Sequence, residues 1–150
     1  MSPPDSTTDR FDLARFIAAQ QPVYASVISE LGHGQKRSHW IWFIFPQVAG
    51  LGHSAMAQRY AIRSRDEAAA YLATPVLGAR LIECTQLVLA TRDKSAHAIF
   101  GSPDDMKFRS SMTLFAEADR GGKLYRQALD RFFSGKPDTA TLEILKVLDR

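Results

Sequence analysis

A single cysteine, Cys84, stands among the 150 residues. An intrachain disulfide is therefore excluded, and so is a zinc site built on several thiolates. Long apolar runs are also lacking. The run of large apolar side chains at Trp40–Phe45 falls far short of the ~20 residues that a membrane-spanning helix needs. No run of five like charges occurs, and 19 basic against 16 acidic residues leave a net charge of +3. The pI of about 9.2 is mildly basic, but scattered charge does not mark a nucleic-acid surface. The glycine-lysine phosphate loop, the glycine-serine-glycine elbow, the paired-histidine zinc helix and the calcium loop are all missing. None of His33, His39, His53 and His97 stands three or four residues from another, so no local metal pair exists. No metal and no cofactor is expected.

A chain that is 45% hydrophobic and 23% charged has the composition of a globular protein. Its length suits one domain. The polar stretch Met1–Asp9, with two prolines, reads as a disordered leader, leaving 10–150 as the folded domain. It has no apolar core of secretory type, so a cytoplasmic location without membrane attachment is expected.

The local patterns are helical. Asp9 is placed to cap a helix beginning near Arg10, with Phe11, Leu13, Phe16 and Ile17 on its apolar face. Pro22 suits the first turn of a second helix. Ser64-Arg65-Asp66-Glu67 is a capping-box pattern. Thr74-Pro75 opens a helix striped by Leu77, Leu81, Cys84 and Val88. Ser95–Phe100 reads as a short turn of helix. Ser102-Pro103-Asp104-Asp105 reads as a start capped by Ser102, with Phe108, Met112 and Phe115 facing inward. Helices at Leu124–Phe133 and Thr139–Asp149, the second capped by Asp138, complete the chain. Gln58-Arg59-Tyr60 reads as a solvated turn, with a pocket wall as the functional alternative. Periodicity cannot decide between helix and strand for Trp40–Phe45, but no partner strand is evident. An unpaired strand would leave its backbone unsatisfied, so this run is assigned as a buried helix. The expected fold is all-α, a single compact domain of about eight short helices.

Two segments concentrate chemistry. In the first, Arg37, Ser38, His39, Trp40, Trp42 and Gln47 lie within one short stretch holding both tryptophans. Arg37 can hold an anionic oxygen, an indole can stack on a base, Gln47 can read a polar edge, and His39 can move a proton near neutral pH. The plainer alternative is a core helix with a solvated start. In the second, Asp104, Asp105, Lys107, Arg109 and Ser110 crowd one helix. An aspartate beside a low-dielectric wall can act as a base or stabilise a cationic transition state. The plainer alternative is a dipole-complemented helix start. Cys84, on an apolar stripe, reads as a buried inert thiol.

Together these stretches resemble a bacterial family described as domain of unknown function 1810. The resemblance is carried by Phe16-Ile17-Ala18-Ala19-Gln20, by Lys36 through Gln47, by Gly50-Leu51-Gly52 and by Tyr60-Ala61-Ile62. It continues through Pro75–Leu81 and Ile99–Phe115. It implies a mainly helical single domain and no particular activity. A fainter similarity, in the order and character of Ser38–Gln47, Pro75–Leu81 and Met106–Phe115, points to NADAR domains, which act on ADP-ribose derivatives. The tryptophan helix is less polar than its NADAR counterpart.

The leading expectation is therefore an enzyme that binds a nucleotide or ADP-ribose-like ligand and hydrolyses its N-glycosidic bond. Arg37 and Arg109 would hold phosphate, Trp40 or Trp42 would stack on the base, and Ser38, Gln47, Lys107 and Ser110 would complete the ligand contacts. Asp104 or Asp105 would stabilise the ribosyl cation or activate water, and His39 would manage the leaving-group proton. A non-catalytic small-molecule or protein binding module is the second reading, and RNA binding the third.

Overall fold

Side-chain caps fix several helix starts in this chain, and chain reversals fix the others. The computed structural model describes residues 9–149. The expected leader lies outside them except for Asp9. Ten α-helices occur among the described residues, and no strand. They are α1 (Ala14–Gln20), α2 (Tyr24–Gly32), α3 (Ile41–Ile44), α4 (Ala55–Arg59) and α5 (Arg65–Ala73), followed by α6 (Pro75–Ala90), α7 (Ala96–Phe100), α8 (Asp104–Ala118), α9 (Leu124–Phe133) and α10 (Thr139–Leu148).

The all-α expectation holds, with more helices than the expected eight or so. The addition is α4, which Ser54 caps by accepting the Ala57 N–H. Its five residues are too few to reveal a period in sequence. Three starts are displaced from their expected positions, those of α1, α2 and α8. Pro22 lies outside the first turn of α2, before the Val23 cap and the first helical residue Tyr24. Asp9 does bind backbone N–H groups, but those of Leu13 and Ala14, at 2.6 and 3.1 Å, so α1 begins four residues later than expected. Ser102 does not cap α8, because Pro103 occupies the cap position and Ser102 falls one residue outside it. The Thr74 hydroxyl donates back to the Ala70 carbonyl and ends α5, while Pro75 starts α6. Ser64 and Asp138 cap α5 and α10 as expected.

The apolar stripes meet around α8. Phe108, Met112 and Phe115 are fully buried, as are Leu77, Cys84 and Val88 of α6. Full burial of one such side chain stabilises the fold by about 1.5–3 kcal/mol. The α8 helix packs against α3, α5, α7, α9 and α10. Its Phe108 ring stacks on Phe100 at 4.7 Å and meets Phe45 edge-on at 4.9 Å. The Phe45 contact brings the tryptophan run and the acid-led helix together. The α6 helix turns sharply from α5 and crosses it at Gly78, where any Cβ would sit 2.3 Å from the Leu72 carbonyl oxygen. No single helix among the described residues is long and apolar enough to cross a membrane.

The chain leaving the tryptophan run is held by one isolated parallel bridge between Val48 and Ile62. The Ile62 N–H donates to the Gln47 carbonyl at 2.9 Å, and the Ala49 N–H donates to the Ile62 carbonyl at 2.8 Å. This pairing sets the loop 47–54 beside α8.

Candidate functional site

The approach to the tryptophan run is organised by Glu30, on α2. Its carboxylate accepts the Arg37 and Ser38 N–H groups at 2.6 and 2.9 Å, the Ser38 hydroxyl at 2.5 Å and the Trp40 indole N–H at 3.0 Å. Burial by itself would raise the Glu30 carboxyl, but these four donors outweigh it and hold it down at about 2. Ser38 and Trp40 are thereby committed to the fold. With only 1% of Trp40 exposed, no ligand base can stack on it.

Lys36 connects the two chemical segments. Its ammonium lies 2.7 Å from an Asp104 carboxylate oxygen, with 6% of the lysine side chain exposed. It also sits 5.1 Å from the centre of the Trp40 ring. On the other side of Asp104, the Lys107 ammonium is 3.5 Å away and lies 5.2 Å from the Trp42 ring centre. Asp104 is therefore bracketed by two lysines, each resting against an indole. Two positive charges against one negative leave this cluster net positive.

Lys107 also faces outward. Together with Gln47, His53, Met106 and Ser110 it lines a cleft of about 380 Å³ between the 47–54 loop and α8. Asp138 reaches this cleft as well, but its Oδ2 is occupied by the Thr141 N–H and hydroxyl. The Ser110 hydroxyl donates to the Met106 carbonyl at 3.1 Å and keeps its acceptor lone pairs. Trp42 is half-buried, and its indole N–H is hidden without a partner among the described residues.

Gln47, Lys107 and Ser110 thus meet at one concavity, with Trp42 behind the lysine. The expected convergence of Arg37, His39, Asp104 and Arg109 does not occur. Arg37 is exposed and borders a separate hollow of about 190 Å³ with Glu30, His33 and Gln35. His39 is exposed. Arg109 turns away, donating to the Lys136 carbonyl at 2.9 Å over the Phe133 ring. Asp105 folds onto its own helix start, accepting the Met106 N–H at 2.9 Å, with its other oxygen 3.5 Å from His97. No group of three or more His, Cys, Asp or Glu placed to hold a metal occurs among the described residues.

The model of the family described as "Protein of unknown function (DUF1810)" matches residues 10–145. This chain belongs to the DUF1810 family. A similar solved structure is that of the conserved hypothetical protein Rv1873 from Mycobacterium tuberculosis, a crystal structure at 1.38 Å. It is 50% identical, covers 92% of this chain and 99% of its own, and superposes with a TM-score of 0.91. The comparison with curated proteins finds no match. Neither match names an activity or a ligand, and neither is to an NADAR domain.

Within this DUF1810 chain, sequence reasoning missed Glu30 and Lys36 as organising residues. Their partners lie across a turn or on a distant helix, so no local pattern marks them. His53 lines the cleft because the Val48–Ile62 pairing places its loop beside α8.

Proposed function

We propose that this DUF1810 protein is a binding module for a small anionic, nucleotide-like ligand, seated in the cleft between the 47–54 loop and α8. The observation that carries this reading is the meeting of Gln47, Lys107 and Ser110 at one concavity beside Trp42. Lys107 supplies a positive charge for a phosphate oxygen. Gln47 and Ser110 supply polar contacts that fix orientation, and the cleft volume falls within the usual range for small-molecule sites.

Binding is favoured over N-glycosidic hydrolysis by the state of the carboxylates. Stabilising a ribosyl cation needs an acid whose negative charge faces the sugar. Asp104 is matched by two lysines, and Asp105 is spent on its helix start and His97. His39 and Arg37 stand outside the cleft.

Calorimetry with ADP-ribose and with NAD tests the reading. Saturable heat that K107A abolishes supports it, and no heat at millimolar ligand overturns it. Release of a free base during incubation would overturn its non-catalytic part. Binding of RNA with a steep salt dependence, and none of nucleotides, would favour the third expectation instead.

A further inference from the structure

A second cavity lies away from the Lys107 cleft. It measures about 470 Å³ and is bordered by residues of the Arg10–Arg15 segment and the Arg59–Glu67 segment. Four arginines line it. One of them, Arg15, is wholly built into the fold. Its guanidinium donates to the carbonyls of Phe11, Asp12, Arg59 and Ala61 and to Glu67 Oε2. The buried Glu67 carboxylate matches its charge at 2.9 Å.

Arg10, Arg59 and Arg63 differ from Arg15. None has a carboxylate partner among the described residues, and the one further acid at the cavity is the exposed Asp12. Three guanidiniums against one carboxylate leave two positive charges around a single concavity. Like charges gathered in this way repel, and nothing described in the protein offsets them. Two of the three are also oriented in advance. Arg10 rests on the Phe11 ring at 4.6 Å and Arg59 on the Tyr60 ring at 5.6 Å. Pre-oriented guanidiniums lose less freedom when they bind, and their planar donors match phosphate oxygens.

We infer that this cavity binds a phosphate-class oxyanion carrying at least two negative charges, held by Arg10, Arg59 and Arg63. Arg15 is a positioning residue. By holding the Arg59 and Ala61 carbonyls it fixes the backbone that presents Arg59 and Arg63. The inference is independent of the Lys107 cleft, since the two sites have no residue in common.

Titration of the whole chain with inorganic pyrophosphate at low salt, followed by calorimetry, is the test. Inorganic phosphate and a nucleoside diphosphate run in parallel distinguish a free anion from an esterified one, and saturable binding of either kind supports the inference. The R59Q/R63Q variant is expected to bind about tenfold more weakly or worse, as loss of two charge-assisted contacts implies. R63Q alone removes a side chain with no described contact, so it retains the fold and still weakens binding. R120Q/K123Q removes the same charge from exposed positions elsewhere and is expected to bind like the parent. Absence of saturable heat in the parent overturns the inference. Undiminished binding in both R63Q and R59Q/R63Q, or an equal loss in R120Q/K123Q, overturns it too.

Discussion

Lys36 and Asp104 form an ion pair at 2.7 Å that fastens the tryptophan run to the start of α8. Both side chains are largely removed from water, so each charge depends on the other. Truncating one partner leaves an uncompensated charge, a defect that costs about 3–5 kcal/mol when burial is complete. Lys107 stands 3.5 Å from Asp104 and offsets part of that loss. K36A is expected to destabilise the protein by about 2–3 kcal/mol in urea unfolding. The double variant K36M/D104L is expected to lose less than the sum of its single variants.

Glu30 makes stability depend on pH. Its carboxyl is held at about 2 in the folded protein, against an ordinary value of 4.5. The folded state therefore keeps the group ionised where the unfolded chain would protonate it. The contribution is fully present above pH 4.5 and is lost as the pH falls from there through about 2. Urea unfolding across that window is expected to show a steeper acid loss for the parent than for E30Q. At neutral pH, E30Q is the less stable of the two.

Gly78 is required by the crossing of α5 and α6. Alanine is ordinarily better than glycine within a helix by about 1 kcal/mol. Here its Cβ would meet the Leu72 carbonyl oxygen at 2.3 Å, which is backbone and cannot swing aside. Overpacking of this kind typically costs about 1–3 kcal/mol. G78A is expected to lower the Tm despite the propensity gain, and thermal unfolding monitored by circular dichroism checks it.

Cys84 is shielded on α6. It is fully buried, and burial pushes its thiol up to about 12, more than the Tyr24 hydroxyl contact at 3.8 Å draws it down. Thiolate is the reactive form. A thiol reagent at neutral pH is expected to leave the folded protein unmodified and to react with one equivalent in denaturant.

The parts legible in the sequence were local ones. Ser64 and Asp138 cap because their partners lie three residues on. The stripes Leu77-Leu81-Cys84-Val88 and Phe108-Met112-Phe115 announce buried faces through period alone. The helical assignment of Trp40–Phe45 held because no strand offered pairing, although only Ile41–Ile44 closes into helix. The site was half legible. Gln47, Lys107 and Ser110 could be chosen by residue type, but Arg37 and Arg109 share that type and face elsewhere. Glu30 holds the Arg37 backbone and the Lys136 carbonyl holds the Arg109 guanidinium, contacts that arise from packing between separate elements. The Lys36–Asp104 pair was hidden for the same reason.

The two tryptophans report separately on the fold and on the Lys107 cleft. The Trp40 indole N–H is bonded to Glu30, whereas that of Trp42 is buried without a described partner behind Lys107. Nitrogen–proton correlation spectra therefore carry two indole signals, and E30Q identifies the Trp40 signal by moving it. Titration with ADP-ribose is the decisive measurement. The Trp42 signal is expected to shift saturably, the Trp40 signal to stay in place, and K107A to abolish the shift. A Trp42 signal unmoved at saturating ligand, or one that moves equally in K107A, would contradict binding at the Lys107 cleft.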